Sequence, residues 1–200
     1  MKSKQASKIT PKARGSKRLM SELLTDTRQY IEQAEHADVE TLRQFLLANP
    51  ERPLIAMGHG GAHSSASYAS LLYGTNCGLG RVVTPYEANS FSDETIRNSK
   101  LLLVSTSLKN QDAVYIADRM IRVNPQHSCV LTMSQDENTM MKRMMKNNPN
   151  SVIRHSFDCA DGFISVNGTF IYFSLLYKAF TGDADFSRRL VLSSESADNY

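Results

Sequence analysis

The chain has 200 residues, of which 41% are hydrophobic, and a formal net charge of +3. This length allows one sizeable hydrophobic core and leaves little room for two complete domains. No segment has the apolar length of a membrane span or the apolar centre of a signal peptide, so we expect a soluble, cytoplasmic protein that does not contact a membrane.

Most of the positive charge lies at the N-terminus. Seven basic residues and no acidic one precede Glu22, which leaves 16 basic against 20 acidic residues in the rest of the chain. This composition predicts that residues 1–16 form a basic, disordered tail. The alternative is a tail that contacts nucleic acid or another anionic surface, which salt-sensitive binding would reveal. Nucleic acid is otherwise not an expected partner.

Two helices are predicted before the first strand. Apolar residues recur at helical spacing over residues 17–33 and 39–47, and Asn49 with Pro50 ends the second pattern. We therefore assign residues 17–50 to an N-terminal helical extension.

Short apolar runs alternate with helical patterns over residues 51–182. Apolar runs such as residues 101–104 need burial on both faces, which predicts an α/β fold with a three-layer, doubly wound sheet of about five parallel strands. The polar residues 183–200 are typical of a C-terminal tail or linker. The predicted strands are 53–57, 80–83, 100–105, 127–133 and 151–155, and the predicted helices are 62–73, 85–90, 111–122, 136–147 and 163–180.

The first strand-to-helix turn is rich in glycine and serine. Its sequence, GHGGAHSS, begins at Gly58 and follows a buried strand. Because the first amides of a helix attract anions, Gly60, Gly61, Ser64 and Ser65 are predicted to bind a phosphate. The alternative is purely steric, since turns between strands and helices often need glycine. The dinucleotide-binding and P-loop spacings are both incomplete, which favours a sugar phosphate over a nucleotide.

Hydroxyl groups also follow the third predicted strand. Ser105, Thr106 and Ser107 come directly after it, and Asn110 precedes the next helix. The carboxyl ends of parallel strands lie at one edge of a sheet, so this turn and the first are predicted to share a crevice. The alternative is that the hydroxyls are ordinary turn residues and that Asn110 or Asp112 caps the helix.

Two residues near these turns are candidates for acid–base chemistry. Glu87 follows the second strand, and His63 lies in the first turn beside His59, which is interpreted as a polar turn residue. Moving a proton between neighbouring carbons needs a base and an acid, for which a carboxylate and a histidine suffice. The alternative for Glu87 is an acidic residue stabilised at a helix N-terminus after Pro85.

The three cysteines, Cys77, Cys129 and Cys159, are far apart and show no paired ligand spacing with the five histidines. Neither disulfides nor a zinc site are expected, and the sequence predicts no metal and no cofactor. Cys129 lies in an apolar run, where cysteine is typical of a small buried hydrophobic residue.

Together these pieces resemble the SIS (sugar isomerase) family over residues 53–180. The resemblance rests on the order and spacing of five segments. It implies a flavodoxin-like module that binds a sugar phosphate, with Ser105 and Ser107 at the phosphate-binding hydroxyls, Thr106 between them and Asn110 at the last threonine of that turn. The segments are GHGGAHSS, TPYEANSF, STSLKNQDAVYIA, LTMSQ and DGFISVNGTFIYFSLLYKAF.

The sequence departs from the SIS pattern at three positions. Ala62 stands at the serine of the first turn, so Ser64 or Ser65 would have to substitute for it. Leu108 replaces the glycine that lets the second loop wrap around its phosphate. Asp161 lies where synthase-type isomerase domains place a catalytic glutamate, which makes it a third catalytic candidate beside Glu87 and His63.

The resemblance implies two functions. The first is a sugar-phosphate-binding protein, with an aldose–ketose isomerase acting on an amino-sugar phosphate, or a deaminase-type enzyme, as its catalytic form. The alternative is a non-catalytic module that senses a ligand or mediates dimerisation. SIS modules generally pair, so the expected partner is a second copy or a second SIS domain. Four methionines at helical spacing pack either in the core or against such a partner: Met140, Met141, Met144 and Met145.

Overall fold

A computed structural model describes residues 20–134, 139–157 and 166–186. The strands are β1 (Leu54–Met57), β2 (Gly80–Val83), β3 (Lys100–Val104), β4 (Ser128–Thr132) and β5 (Val152–Arg154). The helices are α1 (Met20–His36), α2 (Glu40–Leu47), α3 (Gly61–Asn76), α4 (Pro85–Ala88), α5 (Asp93–Asn98), α6 (Gln111–Val123), α7 (Thr139–Asn147) and α8 (Val166–Thr181). Short 3-10 helices at Pro125–His127 and Pro149–Ser151 precede β4 and β5.

The five strands form one parallel sheet in the order β2-β1-β3-β4-β5. In register, Leu54 pairs with Gly80 on one side and Lys100 on the other. Every residue of β1, β3 and β4 is buried, as expected for strands covered on both faces. The predicted α/β class, the parallel sheet and the number of strands are confirmed.

Alternate residues of the strands enter two separate cores. Ala56, Leu102 and Leu131 face the core formed with α1, α2, α3 and α8. Met57, Leu103 and Val130 face the core formed with α5, α6 and α7. The sheet is therefore the middle of three layers. The two helices before β1 belong to the same outer layer as α3 and α8.

The structure corrects the prediction in one place, between β2 and β3. A second helix, α5, follows α4 there, whereas the sequence predicted only one short helix. Ser92 begins α5 by accepting a hydrogen bond from the Thr95 N–H at 3.1 Å, and Ile96 is its buried residue. One buried position gives no helical periodicity, so the pattern of apolar residues did not reveal this helix.

Two of the α7 methionines and one cysteine are buried core residues. Met141 and Met144 are fully buried, which favours the core over a partner surface for these two side chains. Cys129 is also buried, as predicted, and burial raises the pKa of its thiol. Cys77 is half-buried, and Cys159 lies outside the described residues.

Arg119 of α6 holds α4 and α5 against the rest of the molecule. Its guanidinium donates to the Asn89 carbonyl at 2.9 Å, to the Phe91 carbonyl and to the Asp93 carboxylate at 2.7 Å. These contacts fix the segment after β2, which contributes Pro85 to the crevice described below. Within the part of the chain that is described, no helix combines the length and apolar character needed to span a membrane.

Candidate functional site

The chain changes direction at the carboxyl ends of β1 and β3. After β1 it enters α3 on one face of the sheet, and after β3 it enters α6 on the other, which makes a topological switch point. A cavity of about 180 Å³ lies there. It is lined by His59, Ala62, Pro85, Val104, Ser105, Thr106, Ser107, Asn110 and Ala113. The two polar turns therefore meet around one space.

Two glycines shape the first turn. A Cβ atom on Gly58 would lie 2.2 Å from the Ala62 carbonyl oxygen, so no larger residue fits there without movement of the backbone. Gly60 has a φ of +56°, a conformation that favours glycine. The turn is closed by a hydrogen bond of 3.0 Å from the Ala62 N–H to the His59 carbonyl. No side chain caps α3, and backbone carbonyls of the turn accept from its first amides instead, since the His63 N–H donates to the Gly60 carbonyl at 2.9 Å.

The serines of the first turn lie outside the cavity. Ser64 is exposed on α3, and Ser65 is buried with its hydroxyl donating to the Gly61 carbonyl at 3.3 Å. Gly60 and Gly61 shape the turn without lining the cavity. Ala62 lines it instead, at the position where the family has a serine. The predicted phosphate-binding roles of Ser64 and Ser65 thus gain no support from their positions.

Contacts within the second loop, residues 105–110, fix its conformation. The Ser105 hydroxyl accepts a hydrogen bond from the Leu108 N–H at 3.0 Å, and Leu108 has a φ of +50°. The Leu108 side chain is buried in the core with Met57 and Ala113 and does not line the cavity. The loop therefore keeps a conformation that favours glycine although it carries leucine, and the burial of that side chain offsets the strain of about 1 kcal/mol.

Several hydrogen-bond donors of this loop remain free. The backbone N–H groups and hydroxyls of Thr106 and Ser107 donate to no other described residue. The Asn110 side-chain oxygen accepts from the N–H groups of Asp112, at 2.9 Å, and Ala113, at 3.2 Å. Asn110 is thus the helix cap, as the alternative interpretation held, and only its amide N–H₂ is left for a ligand. Free donors around one cavity suit an anion.

His59 joins the two turns electrostatically. Its Nε2 atom lies 4.0 Å from a carboxylate oxygen of Asp112, and both side chains are partly exposed. No carboxylate lines the cavity among the described residues, and His59 is the titratable residue of its lining. From the sequence, His59 was interpreted as a polar turn residue, because a single histidine between two glycines is typical of a turn.

Glu87 caps its own helix. Its carboxylate accepts from the Thr84 N–H at 2.7 Å and from the Thr84 hydroxyl at 2.8 Å, and the Glu87 N–H donates back to that hydroxyl. These hydrogen bonds to the Thr84 backbone and side chain lower the pKa of Glu87, with a further contribution from the nearby His63 imidazole. This capping box agrees with the helix-terminus alternative.

The three catalytic candidates stay predictions. Neither Glu87 nor His63 lines the cavity. The His63 Nδ1 atom is buried and has no hydrogen-bond partner among the described residues. Asp161 lies outside the described residues.

Comparison with known proteins gives matches of structure and not of sequence. No family model and no curated protein matches the chain. A candidate phosphosugar isomerase involved in capsule formation, from Bacteroides fragilis, matches with a TM-score of 0.60 at 19% identity, over 90% of this chain and 94% of that chain. The chain has the SIS fold.

Two further solved structures share the SIS fold. A protein from Methanococcus jannaschii, whose inferred function is 3-hexulose-6-phosphate isomerase, matches with a TM-score of 0.58 at 10% identity, over 90% of this chain and 97% of that chain. A candidate sugar-binding protein from Salmonella typhimurium matches with a TM-score of 0.57 at 16% identity, over 90% of this chain and 52% of that chain. At these identities the likeness concerns the fold.

Proposed function

We propose that this SIS-fold protein binds a phosphorylated sugar, with the phosphate in the cavity between the first turn and the loop 105–110. The observation that carries the proposal is the convergence on a cavity at the switch point of the hydroxyls of Ser105, Thr106 and Ser107 and of the free backbone N–H groups of Thr106 and Ser107. The three solved structures described above, which are assigned to phosphosugars or sugars, support the same ligand class.

The size of the cavity favours a small ligand. Its volume of about 180 Å³ corresponds to about six water molecules. A phosphate group and the first carbons of a sugar fit such a space, whereas pockets for larger organic ligands measure roughly 300–1,000 Å³. The rest of the sugar would then extend out of the cavity.

Replacement of Ser107 by alanine tests this placement. A hydrogen bond to a charged group contributes about 1.5–3 kcal/mol, so Ser107→Ala is expected to weaken binding of a sugar phosphate at least tenfold. Ser105→Ala should weaken it as well and also loosen the loop, because it removes the acceptor of the Leu108 N–H. Binding is measured by calorimetry, after a thermal-shift screen of hexose, pentose and amino-sugar phosphates.

Two further serine variants make this result specific. Ser156→Ala, at an exposed position beyond β5, should leave binding unchanged. Ser64→Ala should also have little effect if the phosphate lies where we place it. Loss of binding in Ser64→Ala with retention in Ser107→Ala would contradict the placement, and the absence of any ligand in the screen would reject the function.

Catalysis is a finer proposal, in which the chain isomerises or deaminates its sugar phosphate with Glu87 as the base. Glu87→Gln tests it, because glutamine at this position preserves the capping box while removing the basic carboxylate. We expect this variant to keep its melting temperature within a few degrees and to lose turnover by at least a hundredfold. Turnover equal to that of the wild type would remove Glu87 from the mechanism.

A second candidate function is a non-catalytic module that senses a ligand or mediates dimerisation. It is favoured by the capping role of the Glu87 carboxylate and by the absence of carboxylates from the cavity lining within the described residues. Ligand binding without turnover would support it. We also propose pairing with a second copy or a second SIS domain, which sedimentation of the full chain tests. A cytoplasmic location remains a prediction.

A further inference from the structure

Among the described residues, the lining of the cavity offers little positive charge to balance a phosphate. A phosphate monoester carries about two negative charges at pH 7. The free donors of Ser105, Thr106 and Ser107 are neutral, and so are the other lining residues apart from His59. A histidine is charged or neutral within the physiological pH range, so the net charge of the lining depends on one proton.

The position of His59 is fixed beside the cavity, where a proton on its ring would attract an anion. The hydrogen bond from the Ala62 N–H to the His59 carbonyl fixes His59 in the turn that precedes α3. The ring lies 4.0 Å from the carboxylate of Asp112, and the Asp112 N–H is bound by the Asn110 side chain. The imidazole therefore belongs to the first turn and lies close to the carboxylate that follows the second turn.

Among the described residues, the other acidic and basic side chains of the two turns and of the first helical turn of α3, α4 and α6 are Asp112 on α6, Lys109 in the second loop, His63 on α3 and Glu87 on α4. None of these four lines the cavity. Asp112 contacts His59 directly, Lys109 is exposed, and Glu87 is bound by Thr84. His63 is the second imidazole in the region and thus the main competing source of a dependence on pH.

We propose that His59 is the ligand-contacting residue that couples anion binding at this cavity to the uptake of a proton. This inference rests on the proposed function. The protonated ring supplies the positive charge opposite the phosphate, and Asp112 positions the ring between the two turns. No covalent bond forms or breaks. The proton comes from solvent on binding and returns to solvent on release.

Sulfate is the probe that isolates this effect. It stays dianionic between pH 5.5 and 8.5, whereas phosphate titrates near pH 6. Calorimetric titration of the full chain with sulfate should show affinity falling about tenfold from pH 5.5 to 8.5, the effect expected for loss of one charge-assisted hydrogen bond. At pH 7, titrations in buffers of different ionisation enthalpy should show net proton uptake.

Three variants, each checked for folding by circular dichroism, identify the residue that takes up the proton. His59→Gln should bind sulfate with the weak affinity of the wild type at pH 8.5, at every pH. His63→Gln and Asp112→Asn should retain the dependence on pH. Retention of the dependence in His59→Gln, or its loss in either of the other two, overturns the inference.

A fourth variant separates failure of this inference from failure of the proposed function. Sulfate binding that Ser107→Ala removes but that does not vary with pH overturns the role of His59 and leaves the anion site intact. Failure of both sulfate and inorganic phosphate to bind the wild type at any pH overturns the site and the inference together.

Discussion

Gly58→Ala is expected to destabilise the protein by about 3 kcal/mol and to abolish ligand binding at the cavity. The new Cβ atom would lie 2.2 Å from the Ala62 carbonyl oxygen and 2.8 Å from the His63 backbone nitrogen. Because both are backbone atoms, relief requires movement of α3 relative to β1, and overpacking of a rigid core costs about 1–3 kcal/mol or more. Such movement would displace His59 and Ala62 from the cavity. Urea unfolding and calorimetric titration measure the two effects.

Gly74→Ala is the matched control on the same helix. Gly74 lies in α3, and an added Cβ atom meets nothing within 4 Å. Alanine in a helix is more stable than glycine by about 1 kcal/mol, so this variant should gain stability and bind ligand normally. Equal losses of stability in both variants would show that the Ala62 carbonyl is not the cause. Normal ligand binding by Gly58→Ala would separate the first turn from the site.

The apolar runs were sufficient to predict the sheet, because each strand is covered on both faces. Runs such as residues 101–104 have no polar alternation, and all of their side chains are buried. The flanking glycines and prolines then marked the turns. The helix α5 escaped prediction because Ile96 is its one buried residue, and its N-terminal serine was indistinguishable from a loop residue.

The lining of the cavity was predictable at the second turn and less so at the first. Ser105, Thr106 and Ser107 follow β3 directly, and the end of a strand fixes where its next residues lie. Ser64 and Ser65 follow the start of a helix, where a shift of one residue rotates a side chain by about 100°. Since α3 begins at Gly61, both serines lie past the turn that forms the cavity.

Leu108 shows a limit of residue-by-residue comparison. It replaces the glycine that lets this loop wrap around a phosphate in the SIS pattern. In the structure the loop keeps a φ of +50°, and the side chain packs into the core on the α6 side. Sequence alone gives no sign of this outcome, because it depends on space left between β1, β3 and α6.

Lys100 is expected to make the stability of the protein rise with pH. This lysine begins β3 and is 1% exposed. Its ammonium group donates to the Leu46 carbonyl at 2.9 Å, to the Ala48 carbonyl and to the Tyr73 hydroxyl at 3.4 Å. The lysine therefore binds the C-terminal end of α2 to the sheet. Burial lowers the pKa of Lys100 from 10.5 to about 8, against the opposing influence of Cys77 and Glu51.

The sign follows from proton binding in the two states. Between pH 8 and 10.5 the unfolded chain keeps a proton on this lysine that the folded chain releases, so raising the pH favours the folded state. The free energy of unfolding should rise by about 1–2 kcal/mol between pH 7 and 9.5 from this group. Burial also raises the pKa of Tyr73 to about 12, but an unfolded tyrosine ionises near pH 10, so this group changes stability little below pH 9.5.

Comparison of Lys100→Met with the wild type isolates the lysine and its interaction with Cys77, because the contribution of the buried Cys129 thiol is common to both proteins. The chain has no tryptophan, so urea unfolding is followed by circular dichroism. The stability difference between the two proteins should change by about 1–2 kcal/mol between pH 7 and 9.5, in favour of the wild type at the higher pH.

Lys178→Met is the geometric control, since Lys178 donates to the Glu35 and Ala37 carbonyls at the end of α1, both at 2.7 Å. Because Lys178 is half-buried, its replacement removes comparable hydrogen bonds to helix-terminal carbonyls without removing a fully buried ammonium group. A constant difference for Lys100→Met would mean that the buried ammonium keeps its proton throughout, and that its three hydrogen bonds outweigh the cost of removing it from water.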